Sequence, residues 1–471
     1  MKDNIKMLIT IVLFTASAVF FPLSASAATY YVAPTGNDAN SGTLASPWKT
    51  IQKAASTMVV GDTVNIRAGT YNETITMQNS GNSNNRITYQ SYNNENVIIP
   101  QDFTISKDYI VVNGLEIQGS MNIDGTYGRI LGNYIHHGTA VFVHGSYNLI
   151  SGNRISGHAW DQITTGWGNG AHHIVIEYND VSDPEGLGED FMQYMGHDII
   201  VRGNYFHDNV GNGRHNDCYQ SGGGEYNIWM IGNRFGNLDS VQYYMIGSGD
   251  HDHIWRNNVF WGSIGWGFNG SPTAMRVINN TFGTALGGYG YAGSGTSRNN
   301  IYNDWGTECP YGASSADYNL INPTTGSEWC VTRQPHDLWG VDPKFVNFTG
   351  RDFHLQSSSP CIDAGTFPTT ITSAGSGTQI PVADAKIFVD GFGIADGDSI
   401  QLQGQTQVAR ITSINYTTNV LTVDQPLTWT SGLGVSIPYS GSAPDIGAYE
   451  YTSGAGTTPP AAPKNLKVTP K

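Results

Sequence analysis

Three carboxylates recur at one point of successive segments. HAWDQIT supplies Asp161, LGEDFMQ supplies Glu189 and Asp190, and RHNDCYQ supplies Asp217. The aspartates are 29 and 27 residues apart. Neighbouring strands of a parallel sheet lie about 4.8 Å apart, so one such residue per coil stacks at roughly 5 and 10 Å. A retaining pair of carboxyl groups sits about 5 Å apart and an inverting pair roughly 6.5–9.5 Å apart, so the column brackets both geometries of glycosidic hydrolysis. Repulsion within it raises at least one pKa and makes a proton donor. Asp217 and Asp190 are then acid and base, Asp161 a third carboxylate, and His215 tunes the pair. Arg214 adjoins His215, and Gln193 and Gln220 each follow their aspartate by three residues. A buried cation could instead hold the acids ionised. The same carboxylates could also cap turns by accepting backbone N–H groups.

Aromatic residues crowd this stretch. Trp167, Tyr219, Tyr243 and Trp266 are the candidates for stacking on sugar rings, while others must be core. Asp183, Glu185 and Glu189, in DPEGLGED, are candidate Ca²⁺ ligands, although the spacing is not that of an EF-hand and a solvated loop is the competing reading. No other cofactor is required. The doublet His172-His173 and the run DHDH over 250–253 fall at turns, with a transition metal as the lesser reading. No lysine occurs from 108 to 343. A lysine base for eliminating a uronate is therefore missing. Arg214 or His215 would have to serve, with acidic residues holding Ca²⁺.

The residues that position this column are asparagines. Asn133, Asn153, Asn179, Asn204, Asn233, Asn258, Asn280 and Asn300 each follow a short apolar run, at steps of 20, 26, 25, 29, 25, 22 and 20 residues. Asn113 extends the series upstream. Units this short cannot bury their own apolar face, so they must stack. Interrupted period-2 patterns with no helical periodicity predict a right-handed parallel β-helix. Its asparagines form a scaffold ladder at one corner.

The boundaries follow. Residues 1–27 read as a secretory signal peptide with an apolar run too short for a membrane span. Residues 28–75 form an N-terminal cap and first coil, with a helix entered at Ser46-Pro47. The solenoid occupies 76–365. A small antiparallel β-module fills 366–442, a closing segment 443–452, and a flexible Pro/Thr-rich tail 453–471. Cys309 and Cys330 flank a loop that a disulfide could close, whereas Cys218 and Cys361 read as small buried residues. Charged residues make up 13% of the 471-residue chain and the net charge is −15. A nucleic-acid partner, which needs a basic surface, is excluded on that count.

YYVAPTGNDANSGTLASPWKTIQKA with GDTVNIRAGTY, and SPCIDAG with APDIGAYEY, resemble the two ends of secreted pectate-lyase-like β-helix proteins. HNDCYQ is similar to a His-x-Asp-x-x-Gln pattern of bacterial β-helix proteins acting on glycans. The resemblance implies a carbohydrate-active β-helix but does not select an activity. The expectation is a secreted, extracellular protein without a membrane span whose partner is a polysaccharide. Hydrolysis by the stacked aspartates leads and uronate elimination with Ca²⁺ is the alternative. A noncatalytic surface or matrix protein is the third reading.

Overall fold

The computed structural model describes residues 27–166, 170–194, 196–209, 217–236, 242–246, 249–262, 264–268, 273–283, 295–305, 315–323 and 333–453. Apolar runs of two to six residues are too short for helices, and they pair coil on coil. Three parallel sheets result, with 13, 13 and 9 strands. One coil shows the plan. Arg129–Leu131 lies in sheet I, Asn133 turns the corner, Tyr134–His136 lies in sheet II and Val141–Val143 in sheet III. Leu149–Ser151 then re-enters sheet I. Parallel crossovers of this kind are right-handed. The interior repeats in register: Ile130, Ile150, Ile176, Val201 and Met230 form one fully buried column. Phe206, Phe235, Phe260, Phe282 and Tyr302 stack beneath sheet II at 4.8–5.0 Å between ring centres.

The asparagine ladder is present, and its bonding explains its uniformity. Asn204 Oδ1 accepts from the backbone N–H and the side-chain amide of Asn179, at 2.9 and 3.0 Å. Its own amide donates to Ile176 O and to Asn233 Oδ1, each at 3.0 Å. Each rung is thus met by the same residue type one coil away and by a backbone carbonyl of the preceding coil. Asn113 is not a rung. It pairs with Leu131, two residues short of the ladder position, and the ladder begins on the N–H of Leu115, held by Asn133 Oδ1. At the other end the ladder runs past Asn300 through Asn319 to Asp337.

The cap also differs from expectation. The helix α1 is Ile51–Thr57, with Thr50 as N-cap accepting from Lys53 N–H at 3.1 Å. Ser46-Pro47 precedes it in a loop. Glu73 from the first coil accepts from the N–H groups of Ile51 and Gln52, so a neighbouring side chain completes the helix start. Trp48, Ile51, Ala55 and Met58 are buried against the first coil.

The β-module is a six-stranded antiparallel sheet between Thr369 and Ser436. It covers the outer face of sheet I. Val175, Ile200, Trp229 and Ile254 form one outward row in register, buried against Val389 with Phe392, Ile394 and Tyr416 alongside. Strands buried on both faces lose polar alternation, which accounts for the runs HIVIE, DIIVR and NIWMI. Arg256, 2% exposed, pairs with Asp398 across the junction at 2.8 Å, and Trp229 Nε1–H donates to Lys386 O at 2.7 Å. Trp229→Phe removes that bond and part of the contact. An expected loss of about 1–2 kcal/mol is checked by the unfolding midpoint.

The closing segment returns to the amide corner. Asn257, Asn279 and Asn299, each just before a rung, have φ of 59°, 55° and 58°. Their side-chain amides donate to Ala448 O, Asp445 O and Thr366 O. The Asn-Asn doublets therefore divide labour, one residue building the ladder and its neighbour holding a strap. The leader and the tail, like Cys309 and Cys330, lie outside the described residues. Cys218 and Cys361 are buried. Among the described residues no helix is long and apolar enough to cross a membrane.

Candidate functional site

Ile163 pairs with Met192 and Gln193 with Gln220. That register sets Asp161, Asp190 and Asp217 one above another at the corner entering sheet III, as their spacing predicts. Their surroundings are less open than a cleft. The three are 1%, 3% and 0% exposed. Asp161 Oδ1 accepts from Asp190 N–H at 3.3 Å, and Asp190 Oδ1 from Asp217 N–H at 2.8 Å. Thr164 Oγ1–H donates to Asp161 Oδ2 at 3.1 Å. Three coils earlier and one residue along in register, Asp102 holds Ser120 N–H in the same manner at 2.8 Å. The column is a second side-chain ladder, built on carboxylates instead of amides.

Burial acts on these carboxyls. It pushes Asp161 up to about 6. Asp190 is pushed up to about 9, by burial first and then by repulsion from Asp217 and Asp161. Asp190 therefore carries a proton at neutral pH. His158, wholly buried beside this corner, is pushed down to about 4 by burial and stays neutral.

The outward row of sheet III passes through Thr104, Asn122, Phe142, Thr164, Gln193 and Gln220. Gln193 Nε2 reaches Gln220 Oε1 at 3.5 Å, and Gln193 Oε1 accepts no hydrogen bond among the described residues. Both expected glutamines thus share one face. Phe142 was legible as the middle residue of Val-Phe-Val, whose valines are buried.

Tyr219 is not on that face. A register irregularity between Asp217 and Tyr219 breaks the alternation, so Cys218 and Tyr219 both enter the core. Tyr219 O–H donates to Glu225 Oε2 at 3.0 Å, and Glu225 N–H donates to Asp250 Oδ1 at 2.9 Å. This buried Tyr-Glu-Asp chain, in which burial raises the Glu225 carboxyl, went unread in the sequence. It ties the end of the strand to its turn. Tyr243 pairs in register with Asp217, and Trp266 with Tyr244, which is paired with Tyr219. Trp167, Arg214 and His215 lie outside the described residues.

The proposed calcium ligands do not converge. Asp183 Oδ1 and Oδ2 accept from Leu187 and Gly188 N–H, at 3.2 and 2.9 Å, as a buried turn cap. Glu185 pairs instead with His137 at 3.4 Å. Among the described residues no group of three His, Cys, Asp or Glu side chains is placed to hold a metal. One histidine of each motif, His172 and His251, joins a ring column with His197 and Tyr226 at 4.5–5.2 Å, while His173 packs on Tyr147 and His253 is buried.

Comparison with known proteins agrees with this architecture. Uncharacterized protein YwoF of Bacillus subtilis (strain 168) is 33% identical over 117 residues, covering 22% of this chain and 25% of that protein. Pectate lyase PEL9 of Emericella nidulans is 37% identical over 84 residues, covering 17% and 20%. The chain thus spans about a quarter or less of the curated relatives it matches. The crystal structure of pectate lyase Pel9A aligns with 91% of this chain and 97% of its own, at 17% identity and a TM-score of 0.46. The family model described as "Pel9A-like, right handed beta helix region" matches residues 30–281, more than half of the sequence. The chain therefore belongs to the Pel9A-like right-handed β-helix family.

Proposed function

We propose that this protein binds and cleaves a polysaccharide along the outer face of sheet III, and that cleavage is elimination at a uronate residue. The observation that carries this reading is the enclosure of the three aspartates. Hydrolysis needs two carboxyl groups facing the scissile bond, and here all three are closed off, with Asp161 and Asp190 accepting backbone N–H groups of the next coil. Gln193 and Gln220 present amides to sugar hydroxyls, with Phe142 as an apolar neighbour on the same row. Elimination needs a base for the proton beside the carboxylate, and a cation to stabilise the charge that develops there. Arg214 and His215, directly before the strand Asp217–Ser221, are the nearest candidates for the base in the chain. Likeness to a relative named as a pectate lyase supports the same class.

Hydrolysis remains the second reading on one observation: Asp190 retains a proton at neutral pH beside another carboxyl, as a general acid requires. The purified protein is incubated with uronate and neutral polysaccharides, with and without a chelator. The expected result is ultraviolet absorbance from unsaturated uronate ends. New reducing ends without that absorbance would replace elimination by hydrolysis. Binding without new ends would leave the noncatalytic reading. Loss of activity on chelation, restored by Ca²⁺, would bring in the cation.

A further inference from the structure

We propose a second glycan-binding site, at the seam between the solenoid and the β-module, on the corner between sheets I and II and away from sheet III. A cleft of about 600 Å³ opens there, lined by Glu177, Tyr178 and Arg202 of the solenoid and by Asp396, Arg410 and Thr412 of the module.

Tyr178 occupies the position just before a ladder rung, where the chain must take φ near +60°. The neighbouring coils meet that demand with Gly152, Gly203 and Gly232, at φ of 65°, 63° and 62°. Tyr178 sits there at φ 54° and is 49% exposed. Asn257, Asn279, Asn299 and Tyr318 take the same conformation in later coils, so what marks Tyr178 is an exposed aromatic ring placed on the lining of this cleft. Its ring packs against Gly203, where an added Cβ would come within 2.6 Å of it. The glycine of the next coil is thus the floor of an aromatic platform.

The polar lining is preset. Arg202 Nε and Nη2 both bond Glu177 Oε2, at 2.8 and 2.7 Å, and its Nη1 donates to Asp396 O at 2.6 Å. Across the cleft Arg410 Nη1 bonds Asp396 Oδ1 at 2.9 Å, with Arg410 half exposed. Two guanidiniums, of Arg202 and Arg410, meet three carboxylates, of Glu177, Asp390 and Asp396, so the cleft suits a ligand rich in hydroxyl groups and not a phosphate. A pyranose offers an apolar face for Tyr178 and vicinal hydroxyls for the paired side chains. Residues from both solenoid and module are needed, which gives the module a task.

The site goes beyond the reading of sheet III and is tested apart from it. Wild type, Tyr178→Gly and Arg410→Ala are run through native gels containing a soluble neutral polysaccharide (xylan) or a uronate one (pectate). Tyr178→Gly restores the residue its neighbours use, so it is expected to fold at least as stably as wild type. It should bind about 10-fold more weakly than wild type in whichever gel retards the wild type, and Arg410→Ala should bind more weakly too. Product formation from short oligosaccharides should be unchanged in both. Equal retardation of wild type and Tyr178→Gly would overturn the proposal, as would no retardation of wild type in either gel. A wild type that cleaves nothing yet is retarded through Tyr178 would leave this site standing and remove the catalytic reading instead.

Discussion

Asn204→Ala is expected to destabilise the protein by about 3–5 kcal/mol, a large effect for three heavy atoms lost from one side chain. The reason is the number of groups left without partners. The backbone N–H and the side-chain amide of Asn179 both lose their acceptor, and Ile176 O loses its donor. Asn204 is 1% exposed, so water does not substitute. Each buried polar group left unpaired costs roughly 1–3 kcal/mol, and partial relaxation reduces the sum. Unfolding midpoints in urea and on heating measure it. A loss under 1 kcal/mol would mean that the corner closes without its amides. The exposed Asn113, off the ladder, serves as control, and Asn113→Ala should change the midpoint little.

Asp190→Asn should act in the opposite direction. A carboxyl whose folded pKa lies above its unfolded value of about 3.9 favours folding fully only below that value. The advantage is withdrawn as pH rises through the folded value, here about 9. Wild-type stability is therefore expected to fall between about pH 4 and pH 9. Asparagine keeps an Oδ1 acceptor for Asp217 N–H and cannot ionise. The variant should flatten that slope and gain on the order of 1–3 kcal/mol at pH 8. Stability measured across pH 4–9 checks the slope. Turnover should persist, because the ladder role survives the substitution. A folded Asp190→Asn protein without turnover would place Asp190 in the reaction and favour hydrolysis.

The fold was legible because a solenoid repeats its constraints. A buried amide corner accepts one residue type in coil after coil, so Asn133 to Asn300 stand out without any structure. The ends were harder to read. Asn113 has the right spacing but lies two residues out of register, since the ladder opens on Leu115. Asp337 is a rung of another residue type. For the site, spacing located the aspartates along the coil correctly. It could not show their exposure, because a corner residue does not follow the two-residue alternation that tells inside from outside. Tyr219 was misplaced for a related reason, as a single irregularity after Asp217 turns two successive side chains inward. Tyr178 stands in the aligned segments where Gly152, Gly203 and Gly232 stand, but the cleft that gives it meaning forms only when the module, distant in sequence, packs beside it.

The strap held by Asn257, Asn279 and Asn299 has a bearing on how the chain matures. Ribosomes deliver residues in order, and most coils can settle on the one before as soon as they emerge. The coils of Asn257 and Asn279 cannot finish this way, because the segment that locks their corner lies 166 to 191 residues further along the chain. Between those moments their apolar edge stands open to proteases and to other copies. Completion is thus tied to the arrival of Asp445 to Ala448, and a chain truncated before them would be degraded as unfinished even though its first coils were sound.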